Sequence, residues 1–226
     1  MKTYNFLVVG GIVLAAVIGI AGWRHVFRAS SGIVIVLNGP SAAGKTSIQK
    51  EFQTAMMPNL WIKLGIDNLF DKPMPDITLE NMHIWQVQNP IRWVETSKDS
   101  AKNSVITLFT GEQGDKVAYG MNAAIAAYAK AGNNVIVDYI AYKKAWADDL
   151  RNKLKDLKTY WVNVDIPLSV IEEREAARGT SPKGHARSHY DTVHWDIKYD
   201  LTVSSHKNTA AQIAQELKSR VEVLQK

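Results

Sequence analysis

The chain contains no cysteine. No disulfide, thiolate metal site or thiol nucleophile can therefore be built from it. It has no internal repeat and no tract of low-complexity composition. The Asn-Lys-x-Asp guanine motif is missing, because Asn163-Val164-Asp165 lacks the lysine. A Leu-Ser-Gly-Gly-type signature is missing too, and the chain is short for a transport ATPase. A GTPase switch and a transporter motor are set aside on those grounds. The net charge is only +5, and the basic residues do not gather on one helix with interleaved aromatics. That argues against a nucleic-acid partner. A modest positive balance suits anionic substrates or anionic lipid headgroups.

Charge is also absent between Lys2 and Arg24. The apolar run at residues 6–21, extended to Trp23, is just long enough to cross a bilayer as a helix. Tyr4 and Trp23 stand at its ends, where interfacial aromatics are expected. Gly19-Ile20-Ala21 offers a small-x-small cleavage site, the mark of a secretory signal. Against that reading, only Lys2 precedes the run, and the run exceeds the usual ~7–15 apolar residues of such signals. Arg24 and Arg28 put more positive charge after the run than before it, which favours a cytoplasmic C-terminal side. The sequence thus predicts a flank at 1–5, a transmembrane anchor at 6–23, a tether at 24–32 and a domain at 33–226. It predicts a single-pass membrane protein with lipid as one partner.

The clearest motif is Gly39-Pro40-Ser41-Ala42-Ala43-Gly44-Lys45-Thr46, which follows the apolar run Ile33-Val34-Ile35-Val36-Leu37. This is G-x-x-x-x-G-K-[ST] between a strand and a helix, the context in which it reads as a phosphate-binding loop. Glycines let backbone N–H groups turn inward around phosphate oxygens, and the helix dipole adds to the attraction. Gly39 to Ser47 are the predicted nucleotide-binding residues. Lys45 supplies a cation for the β- and γ-phosphates, and Thr46 a hydroxyl ligand for Mg²⁺. ATP and Mg²⁺ are the expected cofactors.

Strands are expected at residues 33–37, 60–66, 135–138, 160–164 and 199–203. Helices are expected at 45–56, 79–94 (interrupted by Pro90), 117–130, 146–157, 169–177 and 208–224. The run at 105–109 is of uncertain type. Ser169 and Glu172 have the spacing of a capping box. Alternating strands and helices imply a parallel sheet covered on both faces, with ligands at the carboxyl ends of the strands. The P-loop, Asp67 and Asp138 all follow strands and should meet there.

Phosphoryl transfer needs a group to orient or deprotonate the acceptor and cations to meet charge on the transferred group. Asp67 is the candidate base, although Asp67-Asn68 is also good turn chemistry. Asp138 is a candidate to reach Mg²⁺ or the acceptor, or simply to cap a helix. Arg174 and Arg178 lie four apart on one helix face. With Lys183 and Arg187 they form a candidate lid that delivers arginine to the transition state; the alternative is a solvated face paired with Glu172, Glu173 and Glu175. His185, His189 and His194 lack the set of partners a zinc site needs, and lid polarity or substrate contact is the expected role. Trp85 and Trp93 are candidates to line an acceptor pocket.

Residues 36–48 and 65–70, Ala131–Asp138, Arg174–Gly179, Gly184-His185-Ala186, Val193-His194 and Tyr199-Asp200-Leu201 together resemble chloramphenicol phosphotransferase-like proteins. The resemblance spans about residues 33–214. It implies an α/β P-loop NTPase fold of the nucleoside-kinase-like kind, three-layered, with a five-stranded parallel sheet; here one transmembrane helix would precede it. It implies ATP- and Mg²⁺-dependent phosphate transfer to a small-molecule hydroxyl. Asp67 falls on the family's proposed catalytic carboxylate, and Arg174 and Arg178 on its arginine pair. Where the family continues Arg-Gly with Asp-Arg, this chain has Thr180-Ser181-Pro182 after Gly179. A usual glutamine is His189, and a usual Asp-Thr is Ser204-Ser205. Two other functions fit the same motifs: a zeta-toxin-like nucleotide-sugar kinase and a non-catalytic ATP-binding regulator at a membrane.

Overall fold

The computed structural model describes residues 30–76, 78–81, 83, 91–98 and 102–224. All but residue 30 belong to a compact unit that begins at Ser31. Its sheet starts from β1 (Val34–Asn38), whose five residues are all buried. A strand covered on both faces has no polar side to alternate with, hence the unbroken Val-Ile-Val-Leu run. β1 pairs in parallel with β5 (Asn134–Tyr139) on one side and β6 (Thr159–Asp165) on the other. β2 (Trp61–Gly65) adds beyond β5, and β7 (Leu201–Ser204) beyond β6. The order is β2-β5-β1-β6-β7. This is the five-stranded parallel sheet expected, and β1 at its centre feeds the P-loop.

The pleat of β1 sorts its side chains into two cores. Val34 and Val36 join Leu64, Val135 and Val137 on one face. There they meet Met121 and Ile125 of α2 (Glu112–Lys130) and Trp146, Leu150 and Leu154 of α3 (Lys144–Leu154). Ile35 and Leu37 face the opposite way, with Ile136, Val162 and Val164. They meet Ile48, Phe52 and Met56 of α1 (Lys45–Met56), Ile171 of α4 (Leu168–Arg178) and Ile213, Leu217 and Val221 of α6 (Ala210–Leu224). Each fully buried aliphatic or Phe side chain contributes about 1.5–3 kcal/mol, so this layering dominates the fold.

Several expectations need correction. The C-terminal part of the helix expected at 79–94 is strand. β3 (Ile91–Lys98) pairs antiparallel with β4 (Ser104–Thr110), which resolves the uncertain run at 105–109. This hairpin forms a second, two-stranded sheet. The capping box is not at Ser169: Pro167 caps α4, and no side chain bonds its first turn. The reciprocal box sits at α6, where Thr209 Oγ1 accepts the Gln212 N–H at 3.2 Å and Gln212 Oε1 accepts the Thr209 N–H at 2.8 Å. The transmembrane helix and the single-pass localisation drawn from it are also withdrawn. Among the described residues no helix is long and apolar enough to cross a membrane. The expected anchor at 6–23 lies outside the described residues, and nothing within them supports a lipid partner.

Candidate active site

The loop between β1 and α1 bends through Ala42 (φ 61°) and Gly44 (φ 89°), both left-handed. Left-handed turns in such a loop direct successive N–H groups into a concavity that suits anions. Ala43 N–H donates to Pro40 O, and Ile48 N–H to Gly44 O. Among the described residues, the N–H groups of Ala42, Gly44, Lys45, Thr46 and Ser47 have no protein acceptor. The last three are the orphan donors that every helix start leaves.

Lys45 is buried beneath this loop, 4% exposed. Its Nζ donates to Gly39 O at 2.9 Å and Pro40 O at 2.7 Å and lies 3.5 Å from Asp138 Oδ1. Burial holds the Lys45 ammonium below the ordinary lysine range, with Asp138 opposing that shift. The other Asp138 oxygen accepts the Thr46 hydroxyl at 2.7 Å. One carboxylate near the end of β5 therefore touches both Lys45 and Thr46. It arrives there because Leu37 and Asp138 are register partners in adjacent parallel strands.

Asp67 opens a single π-helical turn, Asp67–Asp71, directly after β2. Its neighbour Asn68 accepts the Gly65 N–H at 2.8 Å and fixes the strand exit. Partial desolvation, then the charge of Asp138, push the Asp67 carboxyl above its ordinary range. Lys45 and Arg178 pull it the other way. A carboxylate with a raised pKa is the better proton acceptor.

Arg174 and Arg178 reach the loop from α4. Arg178 Nη2 donates to Ser41 Oγ at 3.1 Å, and Arg174 Nη2 to Ser205 O at 2.8 Å. A Cβ placed on Gly44 would stand 3.7 Å from Arg174 Nη1. The rest of the expected lid divides. Arg187 pairs with Glu172, while Lys183 is exposed.

The sequence carries no signal for Tyr142, and none for the partners that Glu175 and His189 take in the fold. Glu175, 2% exposed, accepts the N–H groups of Gly184 and Ala186 at 2.8 and 2.7 Å. It thereby anchors the short helix α5 (His185–His189) to α4. Tyr142 bonds His185 Nε2 at 2.9 Å. His189 Nε2 accepts the Ser41 N–H at 3.0 Å. His194 stands apart from this pair, bonded to Tyr199. Burial lowers the His185 pKa to about 4 and places that of His189 well below the ordinary range, so both are neutral at pH 7.

Beside the P-loop lies a cleft of about 320 Å³. The hairpin lends it Thr107 and Thr110, the β5–α3 loop Tyr142 and Lys143, and α5 with its exit Ser188, His189 and Thr192. Lys143 is held by Asp115 at 2.7 Å. Trp85 lies outside the described residues, as does the side chain of Trp93.

Comparison with known proteins bears on the family and the fold. The family profile of chloramphenicol phosphotransferase-like proteins matches residues 32–222. A Mycobacterium tuberculosis protein provisionally named an O-phosphotransferase is 27% identical over 186 residues, covering 82% of this chain and 80% of that protein. The fold is similar to that of the Mycobacterium tuberculosis APS kinase in complex with AMPPNP and APS (TM-score 0.54, 16% identity, 85% of this chain and 98% of that one). It is also similar to shikimate kinase from Acinetobacter baumannii in complex with shikimate (TM-score 0.52, 12% identity, 88% of this chain and 97% of that one).

Proposed function

The chain belongs to the chloramphenicol phosphotransferase-like proteins, and on that premise we propose that it is an ATP-dependent O-phosphotransferase acting on a hydroxyl of a small molecule. The observation that carries this reading is the contact of Asp138 with both Lys45 and Thr46 at the P-loop. That contact gathers a phosphate cation, a hydroxyl and a carboxylate where the loop's open N–H groups converge.

The Thr46 hydroxyl and the Asp138 carboxylate are hard oxygen donors of the kind Mg²⁺ takes, with water and phosphate filling the remaining positions. When bound, the ion offsets charge on the β- and γ-phosphates. Lys45 meets the same phosphates from the protein side. Asp67 accepts the acceptor hydroxyl proton as that oxygen bonds to the γ-phosphorus and the bond to the β-phosphate oxygen breaks. ADP and a phosphomonoester result, and the proton resides on Asp67. Arg174 and Arg178 face the negative charge of the transferred group. The cleft beside the loop takes the acceptor. Its threonine, serine and tyrosine hydroxyls, and a lysine already paired with Asp115, favour an uncharged polar molecule over an anionic one.

The test is ATP turnover by the purified full chain, with mass detection of phosphorylated products across small alcohols, chloramphenicol and nucleotide sugars. Native protein should yield a phosphomonoester that Lys45→Ala does not. ATP binding without any product would favour a nucleotide-dependent regulator. A product made only from nucleotide sugars would sink the uncharged-acceptor assignment.

A further inference from the structure

Ser41 is the point where three elements meet. It belongs to the P-loop, its hydroxyl accepts Arg178 of α4, and its N–H is taken by His189 of α5. Both Ser41 and His189 are buried, at 7% and 4% exposure. The protonation pattern follows from the partners. Because Nε2 accepts an amide proton, the ring proton of neutral His189 is on Nδ1. Nδ1 lies 3.3 Å from Ser188 Oγ, whose own proton goes to His185 O at 2.7 Å. The chain His189 Nδ1–H to Ser188 hydroxyl to backbone carbonyl fixes that tautomer. His185 follows the same rule. Its Nδ1 faces Ile106 O at 3.3 Å, which can only accept, so Nε2 receives the Tyr142 hydroxyl proton. One face of His189 meets Tyr142 edge-on at 4.9 Å, and both side chains line the cleft.

We propose that His189 is a positioning residue that holds the P-loop in its phosphate-ready shape, by accepting the Ser41 N–H from the acceptor side of the site. The inference rests on the nucleotide-binding reading above. The bond does not compete with phosphate, because the five N–H groups of Ala42, Gly44, Lys45, Thr46 and Ser47 remain open without Ser41. What the imidazole supplies is an acceptor for a buried donor. Without it, the Ser41 N–H must find water or another carbonyl, and the loop leaves its present shape. Apparent affinity then falls by the fraction of molecules still in the competent shape.

The test uses the full chain, AMPPNP with Mg²⁺, and calorimetric titration of native protein, His189→Leu and His189→Gln. Melting temperatures report folding. Leucine fills the space but accepts nothing, so its dissociation constant should rise about tenfold. Glutamine offers a carbonyl oxygen at similar reach and should stay within about threefold of native. Nitrogen-15 spectra of the native chain should also show coupling across the Ser41–His189 hydrogen bond. If His189→Leu binds as tightly as native or tighter, the proposal is overturned. If Leu and Gln weaken binding equally, ring packing and not the acceptor is responsible, and the proposal fails again. No binding by the native chain would instead sink the nucleotide-binding reading itself.

Discussion

Replacing Asp138 by alanine isolates the interaction at the centre of the site. Lys45 Nζ would keep only the carbonyls of Gly39 and Pro40, at 2.9 and 2.7 Å. Deleting one partner of a buried ion pair commonly costs about 3–5 kcal/mol. Four features reduce that here. The 3.5 Å separation from Asp138 is long for a charge-assisted bond. Two strong acceptors remain on Lys45. Asp67 is also relieved of a like charge that pushes its carboxyl up. Thr46 is exposed, so water replaces its lost acceptor at little cost. The expected destabilisation at pH 7 is about 2–3 kcal/mol, or a fall in melting midpoint of about 4–12 °C for a domain of this size. The pH dependence carries a sign. Lys45 in the folded chain lies below the ordinary lysine range, so between its folded and unfolded values the unfolded chain binds more protons. Stability rises with pH across that window. Removing Asp138 lowers the folded value further and widens the window. The deficit of Asp138→Ala should therefore shrink as pH is raised from 7 toward the usual lysine range. Thermal unfolding at a series of pH values measures this. A variant as stable as native at pH 7, or a deficit that does not change with pH, would rule out a stabilising Asp138–Lys45 pair.

Three other outcomes are expected. The transfer rate should fall on the acid side at a pH above the ordinary carboxylate range, because Asp67 must be ionised to accept a proton and its pKa is raised; a pH–rate profile with its limb at ordinary carboxylate values would argue against Asp67. Glu175→Gln sets an amide NH₂ against one of two backbone donors, Gly184 or Ala186, and should cost about 1–3 kcal/mol while speeding hydrogen exchange at those amides. Gly184 holds φ 92°, and a Cβ there would stand 1.9 Å from Ser104 O; Gly184→Ala should force the hairpin off α5 and cost about 2–4 kcal/mol in chemical denaturation.

Local signals explain what could be read in the sequence. The run at 33–37 is buried on both faces, and the glycines after it serve a loop whose conformation demands them, so strand, loop and helix were all legible. The hairpin was not. Residues 91–94 are few enough to satisfy either periodicity, and Pro90 reads as a break in a helix as readily as a boundary before a strand. The capping box was misplaced because Ser169 and Thr209 carry the same four-residue signature, while the backbone of Pro167 starts α4 two residues earlier. Asp67 and Asp138 stand out in the sequence as carboxylates at strand ends, and Arg174 and Arg178 as an i,i+4 pair on one helix. Tyr142 does not, nor do the partners that Glu175 and His189 take. His189 and Ser41 lie 148 positions apart, and their bond depends on where α4 delivers α5.

The most direct measurement compares native chain and Asp67→Asn, reading ATP affinity by calorimetry and label transfer from [γ-³²P]ATP to the accepted alcohol. Near-equal affinity is expected, with a transfer rate lower by about 10²–10⁴ in the variant. Transfer undiminished by Asp67→Asn would rule out Asp67 as the proton acceptor.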